Sequence, residues 1–304
     1  MSPTEVAIDG RRLRLTNLDK VMYPATGFTK GEVVDYYARV ADVMLPHLAG
    51  RPLTLVRHPD GVGGPHFFEK NCPGHRPAWV PTVAFGGGRS GREVRYCLCE
   101  ERATLVWLAN LAALELHALL ARAPDLDRPT AVVFDLDPGP PAGLVECCRV
   151  ALRLRELLEA LGLRAFPKTS GGKGLHVLVP VARVHTYADT RTFAHALTRL
   201  LARDTGGFVV DTMDREVRRG RVFIDWSQNH PTKTTVAPYS LRARERPFAS
   251  APVTWDEVAA TAAAGDPSAL AFDATDVLGR VERHGDLLAP VLALEQHLPA
   301  TEGR

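Results

Sequence analysis

Two aspartates one residue apart, Asp135 and Asp137, end the apolar run 131–134 and are followed at once by Pro138-Gly139-Pro140-Pro141, which stops any strand. A strand alternates its faces, so both carboxylates project to the same side. Ionised side by side they repel, and a cation between them relieves the repulsion. An all-oxygen ligand set favours Mg²⁺ or Mn²⁺ over zinc. A second run, 221–224, delivers Asp225 just before the polar stretch Ser227-Gln228-Asn229-His230. Carboxylates from two strand ends would make a two-metal clamp, with Asp135, Asp137 and Asp225 as both metal ligands and catalytic residues. Standing alone, D-x-D is equally the mark of an Asp that caps backbone N–H groups at a strand-to-turn junction.

The glycine-rich segment Ser170-Gly171-Gly172-Lys173-Gly174-Leu175-His176 leads into a second β-type run, 177–180. Glycines let backbone N–H groups approach an anion, Lys173 adds a point charge and Ser170 a hydroxyl, which together suit a polyphosphate. His176, at the start of the run, could reach a phosphate oxygen. The segment is not a Walker A loop, because a glycine follows the lysine and a strand, not a helix, follows the loop. A plain hairpin turn with a solvated lysine is the other reading of these residues. Phe67 and Phe68 follow the glycine loop 60–65; in an extended segment one of two adjacent aromatics must face solvent, where a base can stack on it. Arg57, near in sequence, could hold the backbone of the same strand.

These groups need a scaffold of strands and helices. Thr29 and Glu32 form a capping box ahead of a helix over 35–48, whose apolar residues Tyr36, Tyr37, Val40, Val43 and Met44 fall at helical spacing. A strand is expected at 53–57, and another at 93–99 after a turn at 86–88. Helices are expected over 103–121, 144–161 and 190–202, with hairpin-like runs between 208 and 240 and a free tail at 301–304. Strands alternating with helices indicate a mixed α/β or α+β fold.

The 304 residues, 45% hydrophobic, suffice for one large domain or two closely packed lobes. A net charge of only +2 excludes a general polycation, so contact with nucleic acid must come from local clusters of basic residues. Of 37 basic residues six are lysine, at 20, 30, 70, 168, 173 and 233, as though a compact ammonium were kept where it is needed. No signal peptide and no apolar stretch of membrane-spanning length is seen, so a cytoplasmic, nucleoid-associated protein is expected. Five cysteines in such a chain imply reduced thiols. Cys72, His75, Cys97 and Cys99 have zinc-like content but irregular spacing, which disfavours a zinc site. Cys147 and Cys148 read as filler inside a helix.

Together these segments resemble the archaeo-eukaryotic primase superfamily, most closely the polymerase domain of bacterial non-homologous end-joining ligase D. The match runs through 17–24, 51–54, 67–70, 114–117, 135–138, 170–176, 223–229 and 233–244. The resemblance implies a primase-like fold of central β-sheets flanked by helices. It implies a single primase-polymerase domain over 1–304, with a DNA-end-binding part at about 1–120 and a catalytic part at about 121–295. It further implies nucleotidyl transfer to 3′ ends at gaps or breaks, with two Mn²⁺ or Mg²⁺ ions and a preference for ribonucleotides. His117, Ser170, Lys173, His176, Gln228, Thr234, Arg242 and Arg244 would hold the nucleotide, Arg242 and Arg244 closing on its phosphates from the far side. Asn17, Lys20 and Lys30 would hold a DNA 5′-phosphate, and Arg57, Phe67, Phe68 and Arg218 would contact DNA. The implied partners are broken or gapped DNA, nucleoside triphosphates, a Ku-type end-binding protein and a separate DNA ligase, without a membrane.

Two other classes share part of the pattern. A D-x-D glycosyltransferase uses Mn²⁺ and a nucleotide-sugar, but does not account for the Gly-Gly-Lys-Gly loop, Asp225 or the Phe pair. A non-catalytic module that bridges DNA ends would have little use for all three aspartates.

Overall fold

Val132, Val133 and Phe134 are fully buried, because the strand Ala131–Pro138 is the middle of a five-stranded sheet. In the computed structural model, which describes residues 3–87 and 92–299, this sheet runs Phe166–Thr169, Leu175–Pro180, Ala131–Pro138, Val222–Ile224, Val209–Val210. All pairs are antiparallel except the last, which is parallel. Residues 120–233, 251–271 and 287–304 make up this unit. Its long helices, Leu144–Ala160 and Tyr187–Asp204, cover the expected spans, the second opened by a Thr186–Asp189 capping box. A central strand shielded on both faces reads as a continuous apolar run, which is the pattern at 131–134.

A second compact unit takes residues 1–119, 234–250 and 272–286. Its six-stranded antiparallel sheet runs Thr234–Val236, Ala113–Leu119, Leu53–Arg57, Arg92–Cys97, Thr82–Gly87, with Phe67–Glu69 paired to Leu53–Arg57. The helix Lys30–Leu48 starts under the expected box: Glu32 accepts the Thr29 N–H at 2.7 Å and Thr29 Oγ1 accepts the Glu32 N–H at 3.3 Å. Val33, Tyr36, Tyr37, Val40 and Met44 line its buried face. The fold is mixed α/β, as the sequence implies, and no described helix is long and apolar enough to cross a membrane.

Four expectations are corrected. The helix expected over 103–121 stops at Asn110. The chain turns through Ala112, at φ 59, and continues as the strand Ala113–Leu119. That strand lies between two neighbours and is buried on both faces, so its apolar run carried no period to separate strand from helix. The runs between 208 and 240 are not hairpins: Val209–Val210 and Val222–Ile224 are parallel, and Thr234–Val236 belongs to the other sheet. Gly86 and Gly87 lie in the strand Thr82–Gly87 rather than in a turn; Gly88 and the tail 301–304 fall outside the described residues. Finally, the thiols are not all reduced. Cys72 and Cys97 form a disulfide, brought together where the Cys72 N–H donates to the Arg95 carbonyl at 2.6 Å, while Cys99, Cys147 and Cys148 are free and buried. A contact between residues 25 apart depends on strand pairing, which the spacing of the cysteines does not disclose.

Gly174 packs on the central strand so closely that a Cβ there would stand 2.3 Å from the Leu136 carbonyl oxygen, whereas a Cβ on Gly63 would meet nothing within 4 Å. Gly174→Ala is therefore expected to destabilise the protein by about 2 kcal/mol or more, and Gly63→Ala by no more than about 0.5 kcal/mol. Thermal unfolding of both variants measures the difference, and equal midpoints would contradict the packing described.

Candidate active site

Asp135 and Asp137 occupy the end of the Ala131–Pro138 strand, two residues apart and hence on one face. Leu136 faces Ile224 in the antiparallel register, which carries Asp225 to a place beside Asp135, whose carbonyl accepts the Asp225 N–H at 2.8 Å. Residues opposite one another across an antiparallel pair share a face, so the register sets all three aspartates on the same side. His176 lies opposite Asp135 on the other flank, and Lys168 lies opposite His176. The row Lys168, His176, Asp135, Asp225 thus crosses four strands. Lys168 and His176 are 1% and 4% exposed, so two basic groups are buried beside the carboxylates.

Each carboxylate has its own donors. His176 Nε2 is 3.2 Å from Asp135, and an Arg218 guanidinium nitrogen donates to Asp137 at 2.8 Å. Asp225 accepts from the Ser227 N–H at 3.1 Å, from the Ser227 hydroxyl and from Gln228 Nε2 at 3.0 Å, with Lys233 Nζ 3.8 Å away. Among the described residues, no group of three or more His, Cys, Asp or Glu side chains is gathered into a metal site. The shared face and the all-oxygen donor set are those suited to a hard divalent ion.

Asn229 secures the turn that follows Asp225. Fully buried, it accepts the Val133 N–H at 2.9 Å and donates to the Val133 and Trp226 carbonyls at 2.8 and 3.0 Å. One side chain so replaces a strand neighbour for Val133 and locks the Asp225 turn to the central strand. The sequence shows only a polar stretch there, and nothing in it marks Asn229 as this clamp. The glycine-rich loop closes beside the same strand: the Ser170 N–H donates to the Gly174 carbonyl at 3.0 Å and the Gly174 N–H to Ser170 Oγ at 3.1 Å, leaving Lys173 exposed. Gly171, at φ +68, is a position where a left-handed backbone calls for glycine. Ser170, Lys173, His176, Gln228 and Arg218 therefore share a unit with the three aspartates.

His117, Thr234, Arg242 and Arg244 belong to the other unit. His117 sits on a strand, not a helix, and its Nε2 is 2.8 Å from Glu115. Glu115 also takes Arg242 Nε at 3.1 Å and the Ala243 N–H at 2.9 Å. Burial would raise its carboxyl, but His117, Arg242 and the Ala243 N–H together hold it down to about 2. Glu115 stands in a segment the sequence singles out, without a role there.

Asn17, Lys20 and Lys30 are brought together at the start of one helix. The turn at Asn17, φ 54, folds over the start of the Lys30–Leu48 helix, where the Lys30 N–H donates to the Lys20 carbonyl at 2.8 Å and the Gly31 N–H to Leu18 at 2.7 Å. Lys20 pairs with Asp60 at 2.7 Å. Lys30, only 5% exposed, donates to the Thr16 carbonyl at 2.7 Å; burial, then Lys20 and Arg57, pull its ammonium down to about 8. Phe67 and Phe68 are both exposed, at 43% and 64%, where one was required, and Arg57 lies 5.2 Å over the Phe67 ring while pairing with Glu69.

Residues 29–288 match the family model described as "LigD, primase-polymerase domain". The chain is 43% identical over 282 residues to "Multifunctional non-homologous end joining protein LigD" of Mycolicibacterium smegmatis, covering 92% of this chain and 36% of that protein. It is 32% identical over 278 residues to "Bifunctional non-homologous end joining protein LigD" of Bacillus subtilis, covering 90% and 43%. It thus spans well under half the length of these relatives. A solved structure, "Polymerase Domain from Mycobacterium tuberculosis Ligase D in complex with DNA", superposes with a TM-score of 0.86 at 40% identity, covering 94% of this chain and 99% of that one.

Replacing Asn229 with Ala would strand the Val133 N–H and carbonyl in the core. A loss of about 2–4 kcal/mol is expected from urea unfolding, and an unchanged midpoint would show that the clamp contributes nothing.

Proposed function

The chain belongs to the LigD primase-polymerase domain family, and from that premise we propose that it is a template-dependent nucleotidyltransferase, adding nucleotides, ribonucleotides by preference, to 3′ ends at gaps or double-strand breaks during non-homologous end joining. The observation that carries this reading is the set of three aspartates on one sheet face with the Ser170–Gly174 turn closed against the strand between them. DNA as the substrate is supported by the DNA-bound mycobacterial polymerase domain that this chain resembles over 94% of its length.

In the reaction the 3′ oxygen bonds to the α-phosphorus, the bond from that phosphorus to the departing pyrophosphate breaks, and the hydroxyl proton is lost to solvent. Asp135, Asp137 and Asp225 would hold two divalent ions, Mn²⁺ or Mg²⁺, which when bound lower the pKa of the 3′-hydroxyl and offset the charge of the triphosphate. Lys173 supplies an exposed cation and Ser170 a hydroxyl to the phosphates, and the buried His176 braces Asp135. Arg218, bonded to Asp137 and held 4.5 Å over Phe223, would exchange that carboxylate for DNA. His117, Gln228, Thr234, Arg242 and Arg244 are assigned to the nucleotide by the family pattern. Asn17, Lys20 and Lys30 take the 5′-phosphate of the downstream strand, with Phe67, Phe68 and Arg57 on its bases and backbone. The protein would act on DNA in the bacterial cytoplasm, together with a Ku-type end-binding protein and a DNA ligase activity.

Primer extension on a gapped duplex in Mn²⁺, with NTPs or dNTPs, tests this. Addition is expected to favour NTPs and a 5′-phosphorylated gap, and Asp225→Ala is expected to lower it by roughly 10²-fold or more while DNA affinity stays within about threefold. Full activity in Asp225→Ala would rule out the assignment.

The pH dependence has a definite sign. Lys30 binds a phosphate only as the cation, and its pKa near 8 means that the cation is lost as pH rises through that value. The affinity gained from a 5′-phosphate is therefore expected to hold at pH 7 and to weaken above about pH 8, by up to about tenfold per unit. Lys30→Met should lose most of the gain and its pH dependence, and a wild-type gain that rose to pH 9 would contradict this role.

A further inference from the structure

The helix Tyr187–Asp204 presents Arg191, His195 and Arg199 at successive four-residue intervals, hence on one face, and beside them lies Trp226, the residue after Asp225. They line a cavity of about 530 Å³, with Thr192 offering a hydroxyl between them. None of these residues has a role in the reading above.

The chemistry of the cavity is that of a cationic surface held in place by aromatic contacts. His195 stacks on the Trp226 ring at 4.0 Å and 20°, and the Arg191 guanidinium lies 5.0 Å over the same ring. Trp226 Nε1 donates to the Asp211 carbonyl at 3.2 Å, and His195 Nε2 is 3.2 Å from the Asp211 carboxylate. Asp211 thus anchors both rings. Among the described residues neither Arg191 nor Arg199 makes an ion pair, although both are exposed. A guanidinium stacked on a ring keeps its in-plane N–H groups for an anion, and its position is fixed without a carboxylate that the anion would have to displace. Eight helical residues separate the two arginines by about 12 Å along the axis, more than one phosphate group can span.

The His230 imidazole is pushed down by burial, then by the nearby charges of Arg191 and Lys233. Lys233 in turn donates to Ser227 Oγ at 2.6 Å, on the turn that carries Asp225. Arg191 and Arg199 on the helix and Lys233 beside the Asp225 turn all belong to the unit that holds the three aspartates.

We propose that the Arg191–Arg199 face of this helix, braced by His195 and Trp226, is a binding site for the phosphodiester backbone of a single nucleic-acid strand. The strand would run past Asp225 along the helix, its phosphates on the two guanidiniums and the Thr192 hydroxyl. The Trp226 ring is already engaged by His195 and Arg191, so the site reads backbone rather than base and is indifferent to sequence. The choice of nucleic acid rests on the polymerase reading, but the test does not require catalysis.

The experiment measures the affinity of the full chain for a fluorescein-labelled single strand of about 15 nucleotides, by anisotropy across a salt series, without nucleotide or divalent metal. Each phosphate contact to a single strand contributes about 0.7 to the slope of log affinity against log salt. The double variant Arg191→Glu, Arg199→Glu is expected to bind at least about tenfold more weakly at 0.1 M salt, with the slope shallower by about 1.4. The double variant Arg12→Glu, Arg14→Glu changes the net charge equally at two exposed residues elsewhere and is expected to keep the wild-type slope. An unchanged slope in the first variant, an equal loss in the second, or displacement of the strand by polyglutamate as readily as by unlabelled DNA would each overturn the proposal, the last in favour of an acidic protein partner. If wild-type protein binds the strand through these arginines but adds no nucleotide, the polymerase reading fails and this site stands.

Discussion

Three like charges on one face of a sheet are unstable without counter-charges, and the unit built around Ala131–Pro138 is organised by that constraint. Compensating donors come from three directions: His176 from the neighbouring strand, the Arg218 cation from the short helix Arg215–Arg218, and the neutral Ser227 and Gln228 with the Lys233 cation after Asp225. Two glycines make the approach possible. A Cβ on Gly139 would lie 1.9 Å from the Arg218 carbonyl oxygen, and one on Gly174 would lie 2.3 Å from that of Leu136. Without side chains at these points the backbone of each donor segment reaches the strand end, so Arg218 arrives at Asp137 and the Ser170 loop closes beside Leu136.

Burial decides charge state differently at two places in the other unit. Glu115 is buried among donors, and their hydrogen bonds and charges outweigh the cost of desolvation, so it stays ionised down to about 2. Lys30 is buried with a carbonyl as its partner and with Lys20 and Arg57 as like charges, so desolvation wins and its cation becomes marginal near 8. A lysine held in that state gains most from an arriving dianion, which supplies the opposite charge its own surroundings lack. Exposed lysines gain much less, because water already solvates them.

Local signals are legible in the sequence where the physics is local. The Thr29–Glu32 capping box lies within four residues, and the helix begins there. The D-x-D spacing needs only strand alternation to put two carboxylates on one face. Features that depend on distant partners leave no local signal. The segment 113–119 looked helical because a strand buried on both faces has no polar side to reveal its period, and His117 was placed on the wrong element with it. The Cys72–Cys97 disulfide depends on which strands pair.

By itself the sequence determined the aspartate pair and the glycine-rich turn, because each is carried by residue type at short spacing, and the family and the mixed α/β class, through ordered segments along the whole chain; Asn17, Lys20 and Lys30 were grouped only by that resemblance. Only the tertiary structure decided that Asn229 would serve Val133 as a strand neighbour, that Lys168 would be buried opposite His176, and that Glu115 would gather His117, Arg242 and the Ala243 N–H. Those roles belong to contacts between residues as many as 128 positions apart. A side chain's chemistry is written in its type, but the partner that fixes its charge and geometry is chosen by sheet register and packing, which no single segment contains.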